Sequence, residues 1–306
     1  MAGKHTKSLF ETVKELFSVQ KITGLYKNDG GVPLTFKIIA IALVLSLAVS
    51  AIVIGSFFAA GSKQSKMLRE VNAHFEKMGG NATVKMLCEQ NEDIKGWLNI
   101  SGTDISYAVC QSDNDEYYTT HNQYGAKSRY GALALQAADS INRKGNDKNI
   151  VIFGNNMKDG TMFGSLKKYR NLNFYKQHPD IDLYYGDTQE KYVIFSIMLL
   201  SSYEDDAGNI YNPSKSYFAD EDVFNAWYNE SLSRSMINTS VSVEYGDDIL
   251  TLVTTANDFK GARLVVLAKK TTDWDASHTD VSDAVVNSKT KYPKIWYTER
   301  GLEYPY

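Results

Sequence analysis

The longest apolar segment of the chain lies near its start, at residues 38–60, and contains no charged side chain. At a rise of about 1.5 Å per residue, such a segment spans the roughly 30 Å hydrocarbon layer of a bilayer. The apolar region of a signal peptide is usually shorter and nearer the N-terminus, so the pattern favours a permanent transmembrane helix, assigned to residues 36–60. Basic residues are more numerous before this span than after it, which predicts a cytoplasmic N-terminus and an extracellular main domain.

Helical periodicity is present on both sides of the span. Residues 1–35 form the predicted cytoplasmic segment, in which apolar residues recur at intervals of four and predict a helix at the membrane surface: Leu9, Val13 and Phe17. Residues 61–85 are predicted to form a helical stalk and an N-terminal helix, with an interruption at Gly79 and Gly80. This part of the chain connects the anchor to the main domain.

From about residue 86 the pattern changes to short segments rich in Val, Ile and Tyr, separated by turn residues. Such segments predict a mainly β domain, closed as a barrel or sandwich, over residues 86–270. One helix with an acidic first turn, predicted at residues 220–236, interrupts the strands. The tail at residues 271–306 is polar and then aromatic, and either packs on the domain or forms a mobile strap. The predicted strands are residues 96–100, 104–110, 130–135, 149–154, 181–186, 189–200, 241–246, 248–254 and 262–269.

Composition narrows the functional classes. The net charge of −3 over 306 residues argues against a nucleic-acid-binding protein, which usually carries a concentrated basic face. Cys88 and Cys110 are too few for a disulfide framework, and two buried thiols are favoured over one disulfide bond. No His, Cys or Asp cluster has the spacing of metal ligands, so neither a metal nor a cofactor is expected.

Three ordered blocks carry a family resemblance. Residues 91–125 resemble the opening of class B sortases, the cell-surface transpeptidases of Gram-positive bacteria, and residues 149–169, with 174–181, resemble the next part. Residues 250–270 are similar to the family's strand–loop–strand signature. The resemblance implies a sortase-type closed β-barrel of about eight strands, with N-terminal helices and a helix between strands six and seven.

The resemblance also implies a mechanism with three residue types. A Cys thiolate attacks the Thr carbonyl of a sorting signal, a His protonates the leaving amine, and an Arg donates hydrogen bonds to the oxyanion. In this sequence the His position holds Asn155, the Cys position holds Thr255, and the Arg position retains Arg263. Asn156 and Thr254 are predicted with Arg263 as substrate-binding residues.

The two substitutions remove the groups that covalent chemistry requires. A Thr hydroxyl is protonated at neutral pH and needs an adjacent base, and an Asn amide does not transfer protons in that range. His121 and His178 lie on ordinary structural segments and are not expected to replace the missing His; Cys110 is expected to be a core thiol. Val253 also stands where the family usually has Ser, a change without inactivating purpose, which favours natural divergence over a deliberately inactivated variant.

Three functional hypotheses follow. The first is a pseudoenzyme, a pseudo-sortase that binds a sorting-signal or pilin-like peptide through Arg263 or assists a true sortase. The alternative is an active transpeptidase that anchors surface proteins to the cell wall through an atypical nucleophile such as Thr255. The third is a structural scaffold whose groove is filled by the aromatic tail. A peptide or protein with a sorting signal, a true sortase or pilin, and the membrane are the expected partners, and nucleic acid is not.

Overall fold

The computed structural model describes residues 34–143, 148–203, 211–271 and 279–306, and within the first helix it describes the side chains only in part. The predicted surface helix with Leu9 therefore lies outside the described residues. The chain divides into two units, at residues 67 and 68. The β-barrel lies wholly in the second unit.

Two helices precede the barrel. Helix α1 spans Leu34–Met78 and helix α2 spans Gly80–Cys88. Between them Gly79 has a φ of 84°, a conformation that glycine adopts without strain, so the predicted break after Met78 is confirmed. Among the residues described, no helix is long and apolar enough to cross a membrane. The transmembrane helix therefore stays a prediction.

Eight strands form a closed barrel, as the resemblance implied. Their order around the barrel is β1-β2-β3-β4-β8-β9-β6-β5, and β1 closes it by pairing with β5. Two further short strands, β7 and β10, pair with each other. The strands are β1 Ile94–Asn99, β2 Ser106–Cys110, β3 Leu133–Leu135, β4 Asn149–Phe153, β5 Asp180–Tyr185, β6 Thr188–Ser201, β7 Ile237–Asn238, β8 Ile249–Thr255, β9 Ala262–Thr271 and β10 Val285–Val286.

Short helices connect the strands at the barrel surface. They are α3 Tyr117–Thr120, a 3₁₀ helix at Phe163–Arg170, α4 Leu172–Gln177, α5 Glu221–Arg234 and α6 Lys294–Thr298. Helix α5 corresponds to the predicted helix, and the Asp220 side chain caps it by accepting a hydrogen bond of 2.8 Å from the Val223 N–H. Phe224 and Trp227 of α5 are buried in one cluster with Val265 of the barrel.

The predicted strand at residues 241–246 is wrong. Its alternating pattern does place Val243 in the core, 5 % exposed, so the segment buries alternate side chains as a strand would. Two of its backbone N–H groups, however, donate to side chains and not to a neighbouring strand: the Val243 N–H to the Tyr228 hydroxyl at 3.3 Å, and the Glu244 N–H to the Asp247 carboxylate at 2.7 Å. The alternation arose from packing against α5 and not from strand pairing.

The described part of the tail packs on the domain. Val281 and Ala284 are buried in the main core cluster, and β10 pairs with β7. Farther along, Tyr292 and Trp296 stack at 4.3 Å and pack against Phe259. Core residues therefore extend past the predicted end of the domain at residue 270.

Candidate active site

The site lies where three barrel strands end together. Strand β4 is parallel to β8, with Phe153 opposite Val253, and the Gly154 N–H donates to the Val253 carbonyl at 3.1 Å. Strand β8 is antiparallel to β9, with Thr255 opposite Arg263. Because parallel neighbours keep the same register, the position two residues beyond Phe153 lies at the same barrel end as Thr255. The topology thus brings the three predicted catalytic positions to one edge.

All three positions line a single cleft of about 320 Å³. We call it the arginine cleft, and the residues that define it are Asp115, Glu116, Asn155, Thr255 and Arg263. The sequence predicted the last three of these and missed the two carboxylates, which lie in the turn just before α3. The sequence alone did not show whether these three positions lie together; the structure places them in one cleft, while their roles stay predictions.

The Asn155 side chain is fixed by two backbone carbonyls. Its Nδ2 donates to Thr119 O at 2.8 Å and to Tyr130 O at 3.2 Å, which uses both amide hydrogens. Gly131 makes room for this arrangement, since a Cβ there would lie 2.9 Å from Asn155 Nδ2 and 2.5 Å from Tyr118 O. Asn155 therefore links the backbone at Thr119 to the backbone at Tyr130, and it has no proton to transfer at neutral pH.

The two threonines at the end of β8 face different surroundings, as alternation along a strand requires. Thr254 is buried, and its Oγ1 donates to Gly154 O at 2.7 Å, so this hydroxyl stabilises the β4–β8 junction. Thr255 is exposed at the cleft. Thr254 lines the cleft, but its hydroxyl already donates within the protein, and its predicted role in substrate binding stays a prediction.

Arg263 is the cation of the arginine cleft. The only hydrogen bond of its side chain among the described residues runs from Nη1 to the Ala262 carbonyl at 3.3 Å. Asp115 and Glu116 line the same cleft, yet within the described ranges neither forms an ion pair with Arg263. Most of the guanidinium N–H groups can therefore donate to a ligand, since arginine carries five such donors in a planar fork.

A second cleft, of about 310 Å³, lies on the other side of Thr254 and Thr255, both of which line it as well. We call it the lysine cleft, and its polar lining residues are Asn156, Lys158, Lys167, Arg170, Asn257 and Asp258. Asn156, a predicted binding residue, lies here and not in the arginine cleft. Arg170 forms a bidentate ion pair with Asp258, with N–O distances of 2.8 and 2.6 Å. No local sequence signal predicts this pair, because its members are far apart along the chain.

The histidines and cysteines lie elsewhere. His121 stacks on Tyr117 at 4.2 Å, and His178 lies 3.4 Å from the Ser101 hydroxyl; neither lines either cleft. Cys88 and Cys110 are free thiols, as predicted, but only Cys110 is buried and Cys88 is half-buried; burial raises the pKa of the Cys110 thiol far above its usual value. In the described part of the chain, no group of His, Cys, Asp and Glu is arranged to hold a metal ion.

Comparisons with known proteins agree with this architecture. No family model matches the chain. Sortase B of Listeria monocytogenes is 32% identical over 184 residues, which cover 60% of this chain and 71% of the relative. The solved sortase B of Clostridium perfringens is 30% identical with a TM-score of 0.56, covering 61% of this chain and 98% of that one. Sortase B from Bacillus anthracis is 26% identical with a TM-score of 0.60, covering 70% and 98%.

The chain is thus similar to sortase B proteins in two respects, its amino-acid sequence and the fold of the barrel that carries both clefts. The chain has diverged in sequence from these relatives, with which it shares about a third identity or less. It is a divergent member of the class B sortase family.

Proposed function

We propose that this protein is a membrane-anchored extracellular pseudo-sortase, which binds a sorting-signal or pilin-like peptide, alone or on behalf of a true sortase, without covalent chemistry. The observation that carries the proposal is the content of the arginine cleft. Arg263 is available to a ligand there, while the two positions beside it hold the exposed hydroxyl of Thr255 and the fixed amide of Asn155.

Arg263 supports the binding half of the proposal. A guanidinium hydrogen-bonded to a peptide carbonyl or carboxylate contributes about 1.5–3 kcal/mol. The hydroxyl of Thr255 adds a neutral donor and acceptor in the same cleft. A peptide segment can therefore be held across Thr255 without forming a bond to it.

The loss of chemistry follows from the proton transfers that the cleft can support. A threonine nucleophile needs a base, and a leaving amine needs a proton donor. Asn155 supplies neither, and Asp115 already accepts a hydrogen bond from the Ala137 N–H at 2.5 Å. Residues that act as a catalytic unit lose about 10⁶-fold in rate when one key member is removed. Peptide binding with negligible turnover is the expected behaviour.

A titration of the full-length protein with sorting-signal peptides tests the proposal. We expect saturable binding, weakened about tenfold by Arg263→Ala, since one charge-assisted hydrogen bond is worth at least about 1.4 kcal/mol. Arg300→Ala is the matched control: Arg300 stacks on Trp296 at 4.3 Å, lines neither cleft, and its removal should leave the affinity unchanged. Absence of binding at millimolar peptide would refute the proposal.

The active-enzyme alternative rests on one observation, the presence of Asp115 and Glu116 in the same cleft as Thr255. A fluorogenic cleavage assay separates the two functions. We expect no turnover above background. Turnover that Thr255→Ala abolishes would establish a threonine-dependent enzyme and overturn the pseudo-sortase proposal.

The membrane anchor is the remaining part of the proposal, and the uncharged run at residues 38–60 supports it. Membranes washed with alkaline carbonate should retain the protein, and external protease should remove the barrel from intact cells. Release by carbonate would contradict an integral anchor.

A further inference from the structure

The two clefts that meet at Thr254 and Thr255 carry opposite charge. Among the residues that the structure describes, Lys158, Lys167 and Arg170 line the lysine cleft with a single carboxylate, and two carboxylates line the arginine cleft with a single cation. A ligand that crosses Thr255 therefore contacts a positive cleft on one side and a negative cleft on the other.

The positive charge of the lysine cleft is uncompensated. Arg170 and Asp258 neutralise each other through their bidentate ion pair. Lys158 and Lys167 form no ion pair with any residue that the structure describes, and both are exposed. Two ammonium groups thus remain for an anionic ligand.

The rest of this cleft suits a peptide better than a bare phosphate. Its walls include the amides of Asn156 and Asn257, which match peptide groups. They also include apolar side chains, from Met157, Phe163 and Leu264, which can cover the stem of an amino-acid side chain. A small inorganic anion would leave those apolar walls without a contact.

The arginine cleft has the opposite character. Asp115 and Glu116 are exposed there, and Arg263 is the only cation lining it among the described residues. If Arg263 binds a peptide carbonyl, both carboxylates remain for a lysine side chain or a free amine. Exposed charges act on a ligand over a Debye length of about 8–10 Å at ordinary ionic strength.

We propose that the paired clefts select a peptide by its charge order, with an acidic residue in the lysine cleft and a basic residue or amine in the arginine cleft. This inference rests on the proposed peptide-binding function and specifies its ligand. The segment between the two charged residues lies over Thr255.

The test uses two peptides of identical composition and net charge. One has glutamates before a neutral centre and lysines after it, and the other has the reverse order. Binding to the full-length protein is measured at about 50 mM and about 500 mM salt. We expect one order to bind about fivefold tighter at low salt, consistent with exposed ion pairs worth up to about 1 kcal/mol each, and the preference to shrink at high salt.

Two double variants assign the preference to the lysine cleft. Lys158→Glu/Lys167→Glu should abolish or reverse the preference for one order. The control Lys77→Glu/Lys85→Glu changes the net charge equally on exposed positions of α1 and α2, away from both clefts, and should retain the preference. Arg263→Ala should weaken both orders alike.

The outcomes separate this inference from the proposed function. Equal affinity for the two orders in the wild type, with binding still dependent on Arg263, would overturn charge selection and leave peptide binding intact. Failure of every peptide to bind would overturn both. Displacement of the peptide by inorganic phosphate that itself binds in a lysine-dependent manner would reassign the lysine cleft to phosphate and overturn the peptide assignment.

Discussion

The two ends of strand β9 differ in how their charged side chains are paired. Arg263 lies at one end, beside Thr255, and its side chain makes only one hydrogen bond among the described residues, to a backbone carbonyl. Lys270 lies at the other end, where it donates to Glu190 at 2.5 Å and lies 3.6 Å from Asp248. One strand thus connects an open charged site to a closed ionic network.

The closed network leaves little for a ligand. Glu190 is 2 % exposed and accepts hydrogen bonds from Lys270, from Tyr185 at 2.8 Å and from Tyr192. Arg143 donates to the Tyr192 hydroxyl at 2.8 Å. Burial alone raises the pKa of the Glu190 carboxyl, but the three hydrogen bonds outweigh that effect and lower the pKa below its usual value.

The difference teaches where this barrel uses polar groups for stability and where it leaves them for binding. A buried charge without partners is costly, so the Glu190 end must satisfy its groups internally. At the Arg263 end the charges are wholly or partly exposed to solvent, and under the proposed function a ligand would replace that water. Loss of a residue should therefore affect folding stability at the Glu190 end and ligand affinity at the Arg263 end.

Removal of Glu190 should give the largest effect on stability. Glu190→Ala leaves Lys270 and two tyrosine hydroxyls without their acceptor, and we expect a loss of about 3 kcal/mol in the free energy of unfolding. Denaturant titration measures it. Thr255→Val, at the exposed end, should stay within about 0.5 kcal/mol of the wild type. Equal losses in the two variants would contradict the distinction between the ends.

Acidification should reduce stability through the same carboxylate. Because the pKa of Glu190 is lowered in the folded state, its contribution is complete above its unfolded pKa of about 4.3 and is lost as the pH falls through the folded pKa. Unfolding free energies measured from neutral pH down to about pH 3 should therefore fall more steeply for the wild type than for Glu190→Gln. Parallel curves would show that other carboxylates account for the acid sensitivity.

Much of the barrel was predictable from the sequence, because burial in a strand leaves a local record of Val, Ile and Tyr. The error at residues 241–246 marks the limit of that record. Alternation reports which side chains are buried and not which backbone groups pair. The Glu190 network was not predicted either, since Arg143, Tyr192 and Lys270 meet only after the barrel closes.

The candidate site likewise has a part that was predictable from the sequence and a part that was not. The resemblance to class B sortases located Asn155, Thr255 and Arg263 in the sequence, and the structure places all three in one cleft. The lysine cleft could not, because Lys158 and Lys167 come from a loop and a 3₁₀ helix, where charged residues usually form only a solvated surface. Which of these charged residues lack an ion pair depends on contacts between residues that are far apart in the sequence.

The Arg170–Asp258 ion pair is intermediate between the closed Glu190 network and the charges at the Arg263 end, which form no ion pair among the described residues. It should contribute modestly to the free energy of unfolding. The side chains are 36% and 17% exposed; exposed ion pairs are usually worth about 0–1 kcal/mol, and the bidentate geometry favours the upper part of that range. A double-mutant cycle with Arg170→Ala and Asp258→Ala measures the coupling in the free energy of unfolding. A coupling near about 3 kcal/mol would place this pair with the Glu190 network instead.

Thr255→Cys should have the smallest effect on stability and the clearest effect on reactivity. The new thiol is exposed at the cleft, whereas Cys110 is fully buried and burial raises the pKa of both native thiols. A water-soluble thiol reagent should therefore modify the introduced thiol in the folded variant well before Cys110, and the wild type treated in the same way gives the baseline. Modification at the wild-type rate would show that position 255 is closed to solvent.

Adding Asn155→His to Thr255→Cys should then accelerate the modification at neutral pH. An imidazolium beside a thiol lowers the thiol's pKa and raises the thiolate fraction. An unchanged rate would mean that the side chains at positions 155 and 255 do not face each other closely enough to exchange a proton. A faster rate would show that the cleft geometry of an active sortase persists here, with only the reacting groups replaced.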